Sequence, residues 1–312
     1  MKKAISLLVG AVVAQGFVTN AIAGSIDGTV YGKLNTGIVM TDDNGTEDTA
    51  LKNMNSRLGF KGSTELEDGL SAIYKLEYNI APDEKAADTG NSQIFKQRNA
   101  YVGLKSKEFG TIIAGYHDTP LKSIQGKIDV FNDMTNGDIK NIIKGENRVN
   151  DLVQYSSPKF SGVQLKAATQ LKENGDGGEN GTSLSATYKE GAIYAAIAMD
   201  DQMEDYDTIR LAFQYKGDGF TAGALYSTSE KSEGSADSKD GLVLSGTYMI
   251  DAFNLKAQYG MSDEKSEGRE LLVLGADYKL GDKTKLFAYT SMLEDDAGTD
   301  TSTYSLGLQH SF

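Results

Sequence analysis

The chain has 312 residues, with 44 acidic and 31 basic side chains and a formal net charge of -13. It contains no cysteine, which excludes a disulfide framework and thiol chemistry. Its mean hydropathy of -0.38 excludes a bundle of membrane-spanning helices, because each such helix needs about 20 consecutive apolar residues. A membrane β-barrel is compatible with this composition, since about half of the residues in each of its strands face water.

The N-terminal residues have the features of a secretory signal peptide. A short basic stretch and a mostly apolar run are followed by Ala21 and Ala23, which fit the small-x-small pattern of a cleavage site. A membrane anchor is the alternative, but Gln15 interrupts the apolar run, which is short for a span. We therefore expect residues 1–23 to be a signal peptide for export and residues 24–312 to form one β-barrel domain.

Beyond this leader, apolar and polar residues alternate along many short stretches. Clear examples run from Val163 to Lys172, from Thr208 to Lys216 and from Phe253 to Ser262, and a less regular one runs from Leu242 to Ile250. This period of two predicts β-strands rather than helices. None of the three prolines lies inside an alternating stretch, as expected for paired strands.

Short turns and long polar loops alternate between the predicted strands. Seven short turns are expected at 67–69, 105–108, 158–162, 190–191, 217–219, 250–251 and 281–282. Eight longer loops are expected near 41–52, 81–92, 118–147, 173–181, 200–206, 229–239, 263–268 and 295–301. These fifteen connections join 16 strands, with 14 or 18 strands as alternatives because each strand signal is weak. Short turns at one rim and long loops at the other are typical of outer-membrane barrels.

The last ten residues alternate as well, and the chain ends on an aromatic residue. One face carries Tyr304, Leu306, Leu308, His310 and Phe312, and the other carries Ser305, Gly307, Gln309 and Ser311. A transmembrane barrel needs such a strand to close, although a soluble sheet can show the same alternation. Phe312 also resembles the terminal signal that the outer-membrane assembly machinery reads.

Six short motifs are spread along the chain. They are Val30-Tyr31-Gly32-Lys33-Leu34, Ser56-Arg57-Leu58-Gly59-Phe60-Lys61-Gly62, Gly69-Leu70-Ser71-Ala72-Ile73-Tyr74-Lys75-Leu76-Glu77, Arg98-Asn99-Ala100-Tyr101-Val102-Gly103-Leu104, Phe109-Gly110-Thr111 and Tyr155-Ser156-Ser157-Pro158-Lys159-Phe160-Ser161-Gly162. In this order, together with the closing strand, they resemble the trimeric general diffusion porins of Gram-negative bacteria. The most similar branch is the one found in Neisseria and related proteobacteria.

The resemblance implies an all-β, 16-stranded, water-filled barrel in the outer membrane, usually a homotrimer, whose third long loop folds inward. That loop is the longest one predicted here, from about Asp118 to Asn147, and we expect a short helical piece from Asp138 to Lys144. The implied function is passive diffusion of small hydrophilic solutes and ions. The expected partners are outer-membrane lipid and lipopolysaccharide, and we expect no cofactor, metal or nucleic acid.

Pore width and lining charge set the selectivity of a channel, and porins of this type place basic wall residues opposite acidic residues of the inward loop. The wall candidates are Arg57, Lys61, Lys75, Arg98 and Arg148, with Lys33 and Lys96 as further ones. The loop candidates are Asp118, Asp129, Asp133, Asp138 and Glu146, and Tyr116 and His117 are expected at the entry of the constriction. A lipid-facing cation near the midplane costs roughly 2–4 kcal/mol, which favours the lumen. Solvated positions at the rim or on the loop surface are the alternatives.

One departure from the family pattern concerns the strand that leads to the inward loop. Ile113 and Tyr116 stand where arginine is common in the porins that this chain resembles. This puts strong anion selectivity in doubt, and the ion preference stays open.

Three other functions compete with a general diffusion pore. An enzyme is disfavoured because His117 and His310 are the two histidines, and no metal-spaced cluster or phosphate loop accompanies them. A solute-specific channel would show saturable block by one solute. A non-conducting barrel that serves as an adhesin or anchor would have a lumen filled by apolar residues.

Overall fold

The computed structural model describes residues 27–83, 95–172, 180–234 and 237–312, so the expected signal peptide lies outside the described residues. The strands are Asp27–Asp43 (β1), Thr46–Asn53 (β2), Arg57–Glu65 (β3), Leu70–Ile80 (β4), Phe95–Ser106 (β5), Gly110–Asp118 (β6), Arg148–Ser156 (β7), Val163–Gln170 (β8), Thr182–Glu190 (β9), Ile193–Met203 (β10), Tyr206–Lys216 (β11), Phe220–Lys231 (β12), Lys239–Ile250 (β13), Phe253–Ser262 (β14), Arg269–Lys279 (β15), Thr284–Glu294 (β16) and Asp300–Ser311 (β17). One α-helix (α1) spans Pro120–Ile124, and single 3₁₀ turns span Glu67–Gly69, Gln125–Lys127 and Ile139–Asn141. No helix in these ranges is long and apolar enough to cross a membrane.

The strands form one closed antiparallel barrel. Chain neighbours pair with each other, and β1 closes the sheet by pairing with β17, from Lys33 opposite Ser311 to Asp43 opposite Thr301. β2 and β3 both pair with β1, one on each half of its length, so they are two segments of a single barrel strand. The barrel therefore has 16 strands, as predicted.

Alternating side chains give the barrel strands a lumen face and an apolar outer face. On β17, Tyr304 and Leu306 are exposed on the outside, whereas Thr303 and Ser305 are buried toward the lumen. The two faces predicted for the closing strand are therefore confirmed. Seven short turns lie at one end of the barrel, which we call the inner rim, because the long loops of outer-membrane barrels face outward.

Two connections expected as long loops, near 41–52 and 200–206, are tight hairpins in the structure, so these predictions were wrong. Asn44 and Gly45 form the first turn with φ angles of 50° and 80°, and the Gly45 amide donates to Asp42 Oδ1 at 2.8 Å. An Asn-Gly pair favours this two-residue turn because both residues tolerate positive φ. The second hairpin also turns through two residues with positive φ. The other described connections lie close to their predicted positions.

The barrel seam depends on a close approach between Gly32 and the C-terminal residue. The Gly32 amide donates to the Phe312 carbonyl at 3.1 Å, and the Phe312 amide donates to the Gly32 carbonyl at 3.0 Å. A Cβ atom on Gly32 would lie 2.5 Å from Phe312 Cζ and 2.5 Å from the Arg57 carbonyl oxygen. This position therefore accepts only glycine without displacing the terminal aromatic ring.

We expect Gly32→Ala to lower the yield of closed barrel, because the new methyl group forces Phe312 away from the seam. The measurement is the fraction of refolded protein that migrates as a heat-modifiable band in SDS gels. Gly246→Ala is the matched control, since the nearest heavy atom to a Cβ there is the Thr221 carbonyl oxygen at 3.6 Å. Equal yields for the two variants would show that the seam tolerates the methyl group.

Candidate functional site inside the barrel

Residues 119–147, between β6 and β7, form a segment that we call the inward loop. Its buried apolar side chains are Leu121, Ile124, Ile128, Phe131, Met134, Ile139, Ile142 and Ile143. They pack in one cluster with lumen-facing residues such as Leu225, Val243 and Phe287. The loop also bonds to Ser183 on β9 and to Thr303 on β17, so it lies inside the barrel along the lumen face of the strands from β9 to β17 and does not cover the outer mouth.

The helical part of the loop differs from the prediction. The piece expected over 138–144 is only the 3₁₀ turn Ile139–Asn141, and the α-helix lies at the start of the loop instead. Pro120 occupies its first turn, and the Thr119 hydroxyl oxygen accepts a hydrogen bond from the Lys122 amide at 3.1 Å. Proline in the first turn and a threonine N-cap favour a helix start at this position.

Glycines at lumen-facing positions have no side chain, and the inward loop packs into the space that this leaves. There is one on each strand from β12 to β15, namely Gly223, Gly241, Gly260 and Gly275. A Cβ at Gly260 would lie 2.2 Å from Ile142 Cδ1. At Gly275 it would lie 2.9 Å from Phe131 Cε1. A larger side chain at these positions would push the loop toward the centre of the lumen.

A buried ion pair holds the second leg of the inward loop. Arg210 on β11 is fully buried, and its guanidinium donates to Glu146 Oε1 at 2.8 Å and to the Lys144 carbonyl at 2.5 Å. Gln125 Nε2 donates to the other Glu146 oxygen at 2.6 Å. Burial raises the pKa of Glu146, although the positive charges of Arg210 and Lys122 oppose this shift.

The two ends of the loop meet in a second ion pair. Asp118 is the last residue of β6 and Arg148 the first residue of β7, and Arg148 Nε lies 2.8 Å from Asp118 Oδ1. Asn99 Oδ1 accepts from Arg148 Nε at 2.9 Å, and Lys122 Nζ lies 3.3 Å from Asp118 Oδ1. The structure thus brings together one predicted wall cation and one predicted loop carboxylate at the base of the loop.

The tip of the inward loop reaches the opposite wall through Asp133. Lys33 Nζ donates to Asp133 Oδ2 at 2.6 Å, and the Arg57 guanidinium donates to the same oxygen. Burial would raise the pKa of Asp133, but the charges of Arg57 and Lys33 outweigh it and hold the pKa below its usual value. Asp133 is therefore an ionised carboxylate that ties the tip to β1 and β3.

We call the cations of this side of the lumen the basic wall, and its members are Lys33, Arg57, Lys61, Lys75 and Arg98. Glu77 lies within it and is nearly buried, accepting from Arg98 Nε at 2.9 Å and from the Tyr31 hydroxyl at 2.8 Å. Lys75 Nζ lies 3.2 Å from the same carboxylate. Sequence reasoning missed Glu77, although it lies two residues after Lys75 on one strand and so shares its face.

Two predicted loop carboxylates serve the loop itself. Asp129 and Asp138 are buried and accept hydrogen bonds from loop amides, among them the Phe131 amide at 3.2 Å and the Asp133 amide at 3.0 Å. Burial, and then the negative charge of Asp138, raise the pKa of Asp129 well above its usual value. This placement differs from the expectation of pore-facing groups, because the folded loop encloses both side chains.

The residues expected at the entry of the constriction separate onto two faces of β6. The His117 ring lies edge-on to Tyr101 with ring centres 5.2 Å apart, and its Nδ1 lies 2.7 Å from the Asp118 carbonyl oxygen. Tyr116 takes the parity of Ala114, which is exposed on the other face. Lys96 is exposed near the outer end of β5.

Arg210 and two further lumen cations that contact the inward loop escaped the sequence analysis. Lys256 Nζ lies 4.4 Å from the centre of the Phe131 ring and 3.6 Å from Asp277 Oδ2. Arg269 Nη1 donates to the Asn141 carbonyl at 3.2 Å. The sequence pattern identified these cations only as polar residues of strands and did not indicate their contacts with the inward loop. Within the described ranges, no group of three or more histidine or carboxylate side chains is arranged to hold a metal ion.

Comparison with known proteins gives one family match and several relatives. The family model described as Gram-negative porin matches residues 5–310. Outer membrane porin N of Escherichia coli K12 is 28% identical over 313 residues, which covers 95% of this chain and 77% of that protein. Major outer membrane protein P.IB of Neisseria meningitidis serogroup A is 24% identical over 330 residues, covering 93% of this chain and 96% of that protein.

Solved structures show the same fold. The anion-selective porin from Comamonas acidovorans has a TM-score of 0.77 at 19% identity, covering 92% of this chain and 100% of that one. Salmonella typhi OmpF in complex with daunomycin has a TM-score of 0.74 at 18% identity, covering 91% of this chain and 97% of that one.

We expect Gly260→Leu to displace the inward loop, because the leucine side chain occupies the space of Ile142. Displacement of the loop should release Lys144, which is half-buried and donates from Nζ to the Tyr206 hydroxyl at 3.1 Å, so limited trypsin digestion of the folded barrel should cleave the loop faster. Gly260→Leu combined with Ile142→Ala restores the volume and should return cleavage to the parent rate. Unchanged cleavage in the single variant would contradict the docking role of this glycine.

We expect Glu146→Leu to cost about 3–5 kcal/mol of unfolding free energy, because it leaves the buried charge of Arg210 without a carboxylate partner. The double variant Glu146→Leu with Arg210→Met should recover most of this loss. The measurement is urea unfolding of both variants in lipid vesicles. A double variant as unstable as the single one would show that lost packing, and not the unpaired charge, dominates.

Proposed function

Because this chain belongs to the family of Gram-negative porins, it forms an outer-membrane channel for passive diffusion of small hydrophilic solutes, and we propose that their path runs between the inward loop and the basic wall. The resemblance predicted from the sequence motifs is thereby confirmed. The location of the path and the roles of its residues are our own inference.

The one-sided docking of the inward loop carries this proposal. Its apolar side chains belong to a cluster that covers the lumen faces from β10 to β16, where Leu225 and Val243 are buried, and that extends to Val39 on β1. On the opposite side the loop touches the basic wall through Asp133. Lys61, four residues further along β3 than Arg57, is exposed to the lumen. Solutes would therefore pass along the side from β3 to β8, which the apolar cluster leaves free.

The charged residues take separate roles in this proposal. Lys61, Lys75 and Arg98 line the path, and Asp133 contributes negative charge from the loop. Asp129 and Asp138 shape the loop, while Glu146 and Asp118 anchor its two legs through arginine partners. Ion-paired cations present less net field to a solute than free ones, so Lys61 dominates the local charge.

Family membership is the basis of our proposal for the oligomeric state and for the absence of catalytic activity. We expect three copies to form the working unit, with outer-membrane lipid and lipopolysaccharide around the apolar exterior. Members of the family are channel proteins, and we propose that this chain likewise has no catalytic activity. Residues 24–312 would form the mature domain after removal of the leader.

We expect purified protein in a planar bilayer to give open channels that close in three equal steps. Lys61→Glu should shift the reversal potential under a salt gradient toward cation preference, because the exchange removes a lumen cation and adds an anion. Lys239→Glu is the control, since Lys239 lies at the outer end of β13 and pairs with Glu267 at 2.9 Å.

Three outcomes would contradict the proposal. Folded, inserted protein without conductance would favour an adhesin or anchor. Saturable block of the current by one uncharged solute would favour a solute-specific channel. An unchanged reversal potential in Lys61→Glu would place the path elsewhere in the lumen.

A further inference from the structure

The two most exposed large apolar side chains in the described part of the chain lie on neighbouring turns of the inner rim. Phe160, in the turn between β7 and β8, is 81% exposed, and Phe109, in the turn between β5 and β6, is 74% exposed. The two turns touch, because a Cβ atom on Gly110 would lie 3.1 Å from Pro158 Cδ. Exposed apolar patches of this kind mark contacts with a membrane or a partner.

Both turns hold their phenylalanine in a fixed backbone position. Phe160 and Val163 exchange backbone hydrogen bonds at 2.9 and 2.8 Å across two turn residues. Residues that stand opposite each other in an antiparallel pair share one face, so Phe160 lies on the lipid-facing side with Val163. In the other turn, the Ser106 hydroxyl oxygen accepts from the amides of Glu108 and Phe109 at 3.2 and 3.3 Å.

Each of these turns also carries an exposed lysine. They are Lys107 and Lys159, and neither forms an ion pair with a described carboxylate. Glu108 is the one acidic residue of the two turns. Four of the other five short turns carry an aspartate instead, namely Asp68, Asp218, Asp251 and Asp282. We call Lys107, Phe109, Lys159 and Phe160 the rim patch, and its charge favours anionic groups at the inner membrane surface.

An apolar groove on the lipid face begins beside the rim patch. Its inner end is formed by Val163, which stands opposite Phe160, and by Tyr188, which stands opposite Val163 on β9. The groove has a volume of about 530 Å³ and continues past small side chains such as Ala195 to the large ring of Phe213. Sites that hold small molecules have volumes of roughly 300–1,000 Å³. An apolar groove beside unpaired cations fits a molecule with an acyl chain and an anionic head.

We propose that the rim patch and this groove form a binding site for one anionic phospholipid of the inner leaflet. Lys107 and Lys159 bind its phosphate by charge-assisted hydrogen bonds, and one acyl chain lies in the groove. Phe109 and Phe160 lie at the membrane–water boundary between them, where aromatic side chains of outer-membrane barrels are enriched. The inference goes beyond the proposed function, because it does not depend on the path of solutes through the lumen.

The test uses tryptophan fluorescence of the full-length protein. The chain has no tryptophan, so Phe160→Trp places a single fluorophore in the rim patch. The variant is reconstituted into phosphatidylcholine vesicles that contain increasing amounts of dibrominated phosphatidylglycerol or of dibrominated phosphatidylcholine as the quencher. We expect half-maximal quenching at about a tenfold lower mole fraction of the anionic lipid, because the two lysines attract its head group.

Phe253→Trp is the control for position. Phe253 also lies at the inner rim and is 48% exposed, but it follows a turn that carries Asp251. The two brominated lipids should quench this variant equally. The same preference for phosphatidylglycerol in Phe253→Trp would show a general property of the rim and would overturn the site.

Two changes in the Phe160→Trp background test the head-group and acyl-chain contacts. Lys107→Gln combined with Lys159→Gln should abolish the preference for the anionic lipid, whereas Lys52→Gln combined with Lys239→Gln, near the outer connections, should keep it. Ala195→Leu fills part of the groove and should raise the mole fraction needed for half-maximal quenching. Ala257→Leu, on the lipid face of β14, is its matched control and should leave the titration unchanged.

Three results in Phe160→Trp would overturn the proposal. They are equal quenching by the two lipids, a preference that survives removal of both lysines, and a titration that Ala195→Leu does not change. Loss of quenching by every lipid in a folded barrel would assign the rim patch to a protein contact and would equally overturn the lipid site. Chloride conductance of the same variants is measured separately, so failure of the lipid site is distinguished from failure of the channel.

Discussion

Burial of the apolar side chains of the inward loop within the polar lumen is the interaction on which the rest of this structure depends. Each buried isoleucine, leucine or phenylalanine side chain contributes about 1.5–3 kcal/mol, whereas fixing each loop residue costs about 1–2 kcal/mol of backbone entropy. The cluster around Ile128, Phe131 and Ile142 offsets that cost because lumen glycines such as Gly260 admit the side chains. The position of the inward loop is therefore set by packing on one side of the lumen.

Arginine and lysine side chains differ in their ion pairing in this lumen. Each of the five arginines is ion-paired with a carboxylate, as in Arg57–Asp133, Arg98–Glu77, Arg148–Asp118, Arg210–Glu146 and Arg269–Asp295. A planar, always charged guanidinium with several donors suits such fixed positions. The lysines differ from one another: Lys33 is paired with Asp133, whereas Lys61 forms no ion pair with any of the described side chains.

Period-two alternation and short polar turns were enough to predict 16 strands and the faces of the closing strand, because both signals are local. The loop predicted near 41–52 was wrong although Asn44 and Gly45 carried a recognised turn signal, since its polar flanks extend the strands above the barrel. Asp129 and Asp138 were expected to face the pore, and the fold instead encloses them in the loop. The polarity of a carboxylate alone does not determine whether it faces the pore or the interior of the loop.

The sequence by itself determined the barrel, its strand number, the longest loop and the family, because alternation, turn residues and motif order are read along the chain. Only the tertiary structure decided that the loop docks on the strands from β9 to β17 and that Arg210 binds Glu146. It likewise decided that Glu77 binds both Arg98 and Lys75. These contacts join residues far apart in the chain. Their partners are fixed by strand register and by the space that glycines leave in the wall, and neither is visible in local patterns.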